Sequence, residues 1–121
     1  MLKINMEVTK MSNVSFDGIG AVVATFAADE GVKGGQVVKL TGNGQVGPCS
    51  DNDKFCGVAL EPRAGIAGVQ VKGFMTVTGS GLSVGAATLA ADSAGGVKTA
   101  AEGVSATVIS VNEDGTAVIC L

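Results

Sequence analysis

Nineteen glycines punctuate this chain of 121 residues at nearly regular intervals, and the runs between them are short and rich in Val, Thr and Ala. Each glycine pair or triplet is a point where the backbone can take φ > 0 and reverse. The intervening runs are too short and too β-branched for good helices. The pattern predicts a small all-β protein, a barrel or a sandwich of short antiparallel hairpins. His, Trp and Tyr are absent, so the side chains on offer suit a structural or binding part better than an enzyme.

One domain is the expectation at this length. A hydrophobic content of 46% argues for a packed chain over a disordered one. Its apolar residues are small, however, and four Phe are the only aromatics. A core of Val and Ala buries little area per residue, which predicts stability completed by association. Charged residues make up 16%, against about 25% in an average soluble domain. Such a surface is suited to being covered. The net charge is −3 and the basic residues are scattered from Lys3 to Lys98. With no basic stripe to meet phosphates, nucleic acid is not an expected partner. No apolar run reaches the roughly 18–20 residues of a membrane span. Lys3 is followed by no continuous apolar region, so no signal peptide is expected.

Residues 2–9 alternate strictly, with Leu2, Ile4, Met6 and Val8 on one side and Lys3, Asn5, Glu7 and Thr9 on the other. That is the period of a half-buried strand. A polar stretch from Lys10 to Gly20 follows. The segment reads either as an N-terminal arm on a tether (residues 1–20) or as the first strand of the domain's own sheet. Residues 21–121 form the all-β domain. Ala21–Ala27 is apolar on both faces, as expected of a central strand packed on both sides. Gln36–Thr41, the turn Gly42-Asn43-Gly44 and Gln45–Gly47 read as a hairpin. Pro48 to Lys54 is a polar loop, and Phe55–Leu60 resumes the sheet. Gly68–Thr78 is the longest expected strand, with Val69, Val71, Met75 and Val77 on one face and Gln70, Lys72, Thr76 and Thr78 on the other. Gly73 within it suggests a bulge or a close backbone approach. Phe74 stands on the polar face, either as an exposed interface anchor or as core where both faces are covered. Gly85–Ala91 with Val97–Thr99, and Ser105–Asn112 with Thr116–Leu121, form two more hairpins. Eight or nine strands result.

The candidate chemistry is sparse. Cys49, Cys56 and Cys120 lack a CxxC spacing and any His, so no zinc site is legible. They read as small buried hydrophobes, with a Cys49–Cys56 bridge left open and a nucleophile disfavoured for want of a His partner. Asp51-Asn52-Asp53 resembles the start of a calcium loop, but Cys56 and Pro62 stand where the EF-hand needs Gly and Glu. Asp29-Glu30 and Glu113-Asp114 read as turn acids. The run Gly79-Ser80-Gly81-Leu82-Ser83-Val84-Gly85 lacks the lysine of a phosphate loop and the partners of a nucleophile elbow. No catalytic, metal or cofactor residue is assigned.

In order, the chain carries Gly31-Val32-Lys33-Gly34-Gly35-Gln36-Val37-Val38-Lys39-Leu40, Phe55-Cys56-Gly57-Val58-Ala59-Leu60 and Val69-Gln70-Val71-Lys72-Gly73-Phe74. With these runs in this order it resembles the small phage capsid cement, or head decoration, proteins. Val84-Gly85-Ala86-Ala87-Thr88-Leu89 and Gly95-Gly96-Val97 extend the likeness over roughly residues 20–120. The resemblance implies a non-enzymatic virion protein without cofactor. Such a protein binds the major capsid protein on the outside of the assembled head, commonly as a homotrimer at three-fold and quasi-three-fold positions. It also implies a β-tulip-like core, with an N-terminal arm that places Leu2, Ile4, Met6 and Val8 against the capsid or a neighbouring protomer. Another phage structural module, of tail or baseplate, is the first alternative. A small ligand-binding barrel, which would need a pocket with convergent polar groups, is the second.

Overall fold

A computed structural model describes residues 18–121, and among them it is all-β, with no helix. Ten strands form: β1 (Val22–Ala28), β2 (Val37–Gly42), β3 (Gln45–Pro48), β4 (Gly57–Ala59), β5 (Ile66–Lys72), β6 (Phe74–Thr78), β7 (Gly85–Ala91), β8 (Val97–Thr99), β9 (Val104–Val111) and β10 (Thr116–Cys120). Strands β1-β3-β2-β4-β5 close into a barrel, and β6-β10-β9-β7-β8 make a five-stranded sheet. Pairing is antiparallel throughout except between β1 and β3, which run parallel through Ala27–Gln45 and Ala28–Val46. The pattern of hairpins alone did not foresee that pair.

Two cores result, and two short strands lie between them. On β2, Val37 and Val38 are 1% and 0% exposed, yet they point into different cores, because successive side chains leave a strand on opposite faces. Val58 and Ala59 on β4 divide in the same way. Val38, Val46, Ala59, Ala67 and Val69 fill the barrel; five strands enclose a narrow lumen, and small side chains are what fits it. Met75, Val77, Leu89, Val97, Val108 and Ile119 fill the space between the second sheet and the β2–β4 wall of the barrel, joined by Phe55 from the loop before β4.

The strand expected over Gly68–Thr78 is broken into β5 and β6 at Gly73. Gly73 holds φ at +97°, and a Cβ there would stand 2.6 Å from the carbonyl carbon and oxygen of Gly20. The expected close backbone approach is real, and it does more than bulge a strand: it hands the chain from the barrel to the sheet. The alternation survives the break but serves two cores, Val69 in the barrel and Met75 and Val77 in the other.

The second departure concerns β1. Read from its sequence as a central strand covered on both sides, it is the outer wall of the barrel, exposed at Val22, Val23, Ala24, Thr25 and Ala27. The doubly covered stretches are Val37–Val38 at the start of β2 and the whole of β4, while Leu40, Thr41 and Gly42 at the other end of β2 are exposed.

Two substitutions test this backbone. Gly73→Ala sets a methyl against fixed backbone at a left-handed φ and is expected to lower unfolding free energy by about 2–4 kcal/mol in denaturant titration. In the hairpin turn before β5, Arg63 and Ile66 exchange main-chain hydrogen bonds of 2.8 and 3.1 Å around Ala64 and Gly65, both at positive φ. This turn favours Asn-Gly, and Ala64 is strained at φ +54°. Ala64→Asn is expected to raise unfolding free energy by about 0.5–1 kcal/mol.

Candidate functional site

The aspartates among the described residues bond within the fold. In the loop between β3 and β4, Lys39 Nζ donates to Asp53 Oδ2 at 2.7 Å, and the Ser50 amide donates to the same oxygen at 2.7 Å. Lys98 Nζ donates to Asp51 Oδ1 at 2.8 Å. The Asn52 amide donates to the Ala91 carbonyl, and the Ala91 amide to the Asp53 carbonyl. The Asp51-Asn52-Asp53 run is therefore a staple that fastens the loop to β2, β7 and β8. Asn52 takes φ +72°, a conformation that Asn tolerates well. Among the described residues no group of three or more Cys, Asp or Glu is arranged to hold a metal ion.

The other paired acids are used similarly. Asp29 accepts from Thr41 Oγ1 at 2.8 Å and from Gln45 Nε2, and these bonds hold its carboxyl below the usual carboxylate range. Asp114 is lowered in the same way by the hydroxyl and amide of Thr116. A general acid needs the opposite shift. An open groove of about 320 Å³ lies between the end of β1 and the β4–β5 connection, with Asp29, Glu30 and Arg63 along it. Both carboxylate oxygens of Asp29 are already engaged within the fold. The run from Gly79 to Gly85 is structural too: the Gly79 amide donates to the Gly115 carbonyl, and Leu82 is buried in the larger core.

All three cysteines are free and half-buried. Pro48 and Gly57 both pair with Val38, from opposite sides of β2. Cys49 and Cys56, next to them, therefore have a whole strand between them and are not bridged. Neighbouring strands lie about 4.7–4.9 Å apart, so a separation of two strands is too wide for a disulfide. Cys49 packs against one core and Cys56 against the other. Burial first, then the negative charge of Asp53, pushes the Cys49 thiol up to about 11, and burial raises Cys56. Neither is a thiolate nucleophile at neutral pH.

Of the sequence-predicted interface residues, Leu2, Ile4, Met6 and Val8 lie outside the described residues. Phe74 is half-buried at the start of β6. Its amide donates to the Ile19 carbonyl at 3.0 Å, and its carbonyl accepts from the Gly18 amide and from Gln70 Nε2.

The feature that sequence reading assigned to the interior is the barrel wall. Register places Val23 opposite Gln70, Thr25 opposite Gly68 and Ala27 opposite Ile66 on the outer face of β1 and β5. Leu60 and Val23 flank Gly68, each with a methyl 3.3 Å from where its Cβ would stand. Val23, Leu60 and Ile66 are each about half exposed. They form an uncharged, apolar wall on the side of the barrel away from the second sheet. The signal was legible as an apolar strand with no polar face; what covers it was not. No protein-family description and no curated protein matches the sequence.

The Lys39–Asp53 pair yields a pH prediction. The lysine and the Ser50 amide lower Asp53, so its contribution is present above the unfolded carboxylate value of about 3.9 and is lost as pH falls through the lower folded value. Lys39 is raised by the same bond, so its share is lost only as pH climbs through its elevated value. Asp53→Asn is expected to lower the melting temperature at pH 7, with the gap to wild type closing below about pH 4. A gap unchanged across that range would contradict the assignment.

Proposed function

We propose that this chain is a non-enzymatic virion structural protein that binds the outer surface of an assembled phage head and braces the capsid lattice, as a homotrimer at three-fold and quasi-three-fold positions. The observation that carries this reading is the apolar wall of the closed barrel: a chain this poor in charge presents Val23, Leu60 and Ile66 to its surroundings, and a protein surface is the cover such side chains require. The placement of the titratable groups agrees, since Asp29, Asp51, Asp53 and Asp114 serve loops and turns. The resemblance to head decoration proteins supplies the location. The partners are then the major capsid protein and further copies of this chain, with no cofactor, nucleic acid or membrane involved.

The same reading gives the apolar stripe of Leu2, Ile4, Met6 and Val8 a role in attachment. A segment of that pattern adds to an exposed strand edge of another chain, where ladder hydrogen bonds satisfy its backbone.

Cosedimentation of the purified protein with undecorated heads of its own phage, followed by electron microscopy, tests both points. The expected result is density at the three-fold positions and heads that resist heat or chelation better when decorated. Deleting residues 1–10 is expected to leave the domain folded and to weaken head binding by at least about tenfold. Density on the tail or baseplate, or no binding to heads, would overturn the head assignment; unchanged binding after the deletion would overturn the role of the stripe.

A further inference from the structure

Gly18, the first described residue, meets the domain at the outer edge of β6. Its amide donates to the Phe74 carbonyl at 3.3 Å, and the Phe74 amide donates to the Ile19 carbonyl at 3.0 Å. Two successive residues thus oppose one, with Gly18 at φ +80°. This is the G1 form of the β-bulge, which occurs within antiparallel pairs and sets a glycine in the left-handed conformation. Directly after it, the Ala21 amide closes a turn onto the Gly18 carbonyl at 3.3 Å.

The other side of β6 belongs to β10. Gly73 and Leu121 exchange main-chain bonds of 3.4 and 3.1 Å, with Cys120 opposite Phe74 and Ile119 opposite Met75. Hydrogen-bonding direction alternates along an antiparallel strand. Met75 and Val77 therefore turn their main-chain groups towards β10, and Phe74 and Thr76 turn theirs to the edge that Gly18 has joined. Side chains alternate as well: Met75 and Val77 are buried in the larger core, whereas Thr76 is exposed on the opposite face. Beyond Val77 the edge is closed by β8, since Gly79 bridges Val97 and Gly96 lies against the Thr78 carbonyl. The docking length left on β6 is four residues. Just before Gly18, the run Val14-Ser15-Phe16-Asp17 alternates apolar and polar with the period of a strand.

We propose that residues 15–17 of the same chain occupy this edge as a short strand antiparallel to β6, which roots the N-terminal arm and releases it where β8 closes the edge. Covalent continuity picks the occupant: Asp17 is bonded to Gly18, whose amide already sits on the Phe74 carbonyl. The bulge fixes the register, with Asp17 opposite Met75, Phe16 opposite Thr76 and Ser15 opposite Val77. The Phe16 and Thr76 main-chain groups then exchange hydrogen bonds, and the Phe16 ring shares a face with Phe74 at the diagonal position within reach of aromatic side chains. For the stripe of Leu2, Ile4, Met6 and Val8 this sets a starting point, a step that rests on the attachment reading above. Fourteen residues remain beyond the root, a reach of at most about 46–50 Å. The rooted residues are ordered beforehand, so their entropy cost falls outside capsid binding.

Nuclear magnetic resonance on the full chain in solution tests the root. Hα–Hα contacts are expected for Ser15 with Val77 and for Asp17 with Met75, the pairs that come closest in this register. Exchange of the Phe16 amide should be slowed at least about a hundredfold against its unprotected rate. Phe16→Pro removes the donor to Thr76 and is expected to lower the melting temperature by about 4–8 °C. Ser15→Pro, whose amide faces away from β6, should lower it by far less. Absence of both Hα contacts, or equal shifts from the two prolines, would overturn the proposal. Contacts that appear between labelled and unlabelled chains in a mixed sample would give the edge to a second copy and overturn it too. Deleting residues 1–10 should leave every contact in place. Contacts present with head binding unchanged by that deletion would keep the root and overturn only the role of the stripe.

Discussion

Everything in this fold depends on two short stretches, the start of β2 and all of β4, being buried on both faces. β2 and β4 present Val37 and Val58 to one core and Val38 and Ala59 to the other. The barrel and the second sheet are therefore not two units laid side by side; they share a wall. Shared walls suit a chain with small side chains. A five-stranded barrel of Val and Ala buries little area alone, and packing one of its walls under Met75, Leu89 and Ile119 lets the same residues contribute to a second core. The arrangement also explains why the loop between β3 and β4 is stapled so firmly. Its ion pairs and main-chain bonds hold β2 and the β7–β8 hairpin together at the seam between the cores.

The local turn chemistry was legible. Gly42-Asn43-Gly44, the Asp92 to Gly96 turn and the Asn112 to Gly115 turn each join the hairpins expected of them. In the second, Asp92 Oδ1 accepts from the amides of Ala94 and Gly96, the side-chain-to-backbone bonding that makes Asp a turn residue. What failed were judgements that need a third dimension. Period two runs unbroken from Val69 to Val77, so nothing in the alternation reveals that Gly73 divides it between cores. Nor does an apolar run say which neighbour covers it: β1, apolar on both faces, is an outer wall, whereas Val37-Val38 and Val58-Ala59 are the doubly covered pairs. The parallel pairing of β1 with β3 is likewise invisible locally, since it arises from closing the barrel.

The candidate site shows the same division. Acids, cysteines and glycine-rich runs read as structural from their spacing, and Asp29, Asp51, Asp53 and Asp114 each have a partner within the fold. The apolar wall had to be located in space, because its members come from three separate segments, at Val23, Leu60 and Ile66, brought together over Gly68. Gly68 is what lets Leu60 and Val23 lie so close across the strand, and a larger residue there would part them.

A closed barrel constrains how this protein can meet another. Within the barrel every strand has a neighbour on each side, although β1 meets β3 only through Ala27–Gln45 and Ala28–Val46. In the second sheet the outermost strands are β6 and β8, and β8 is three residues long, as suits an edge that resists pairing. The side chains at the centre of the barrel's uncovered wall, Val23, Leu60 and Ile66, are apolar. A contact on that wall tolerates substitutions among Val, Leu and Ile at Val23, Leu60 and Ile66 provided the face stays flat, whereas one buried charge there removes it. The chain's scarcity of charge has a physical consequence in this arrangement: few groups need desolvating when the wall is covered.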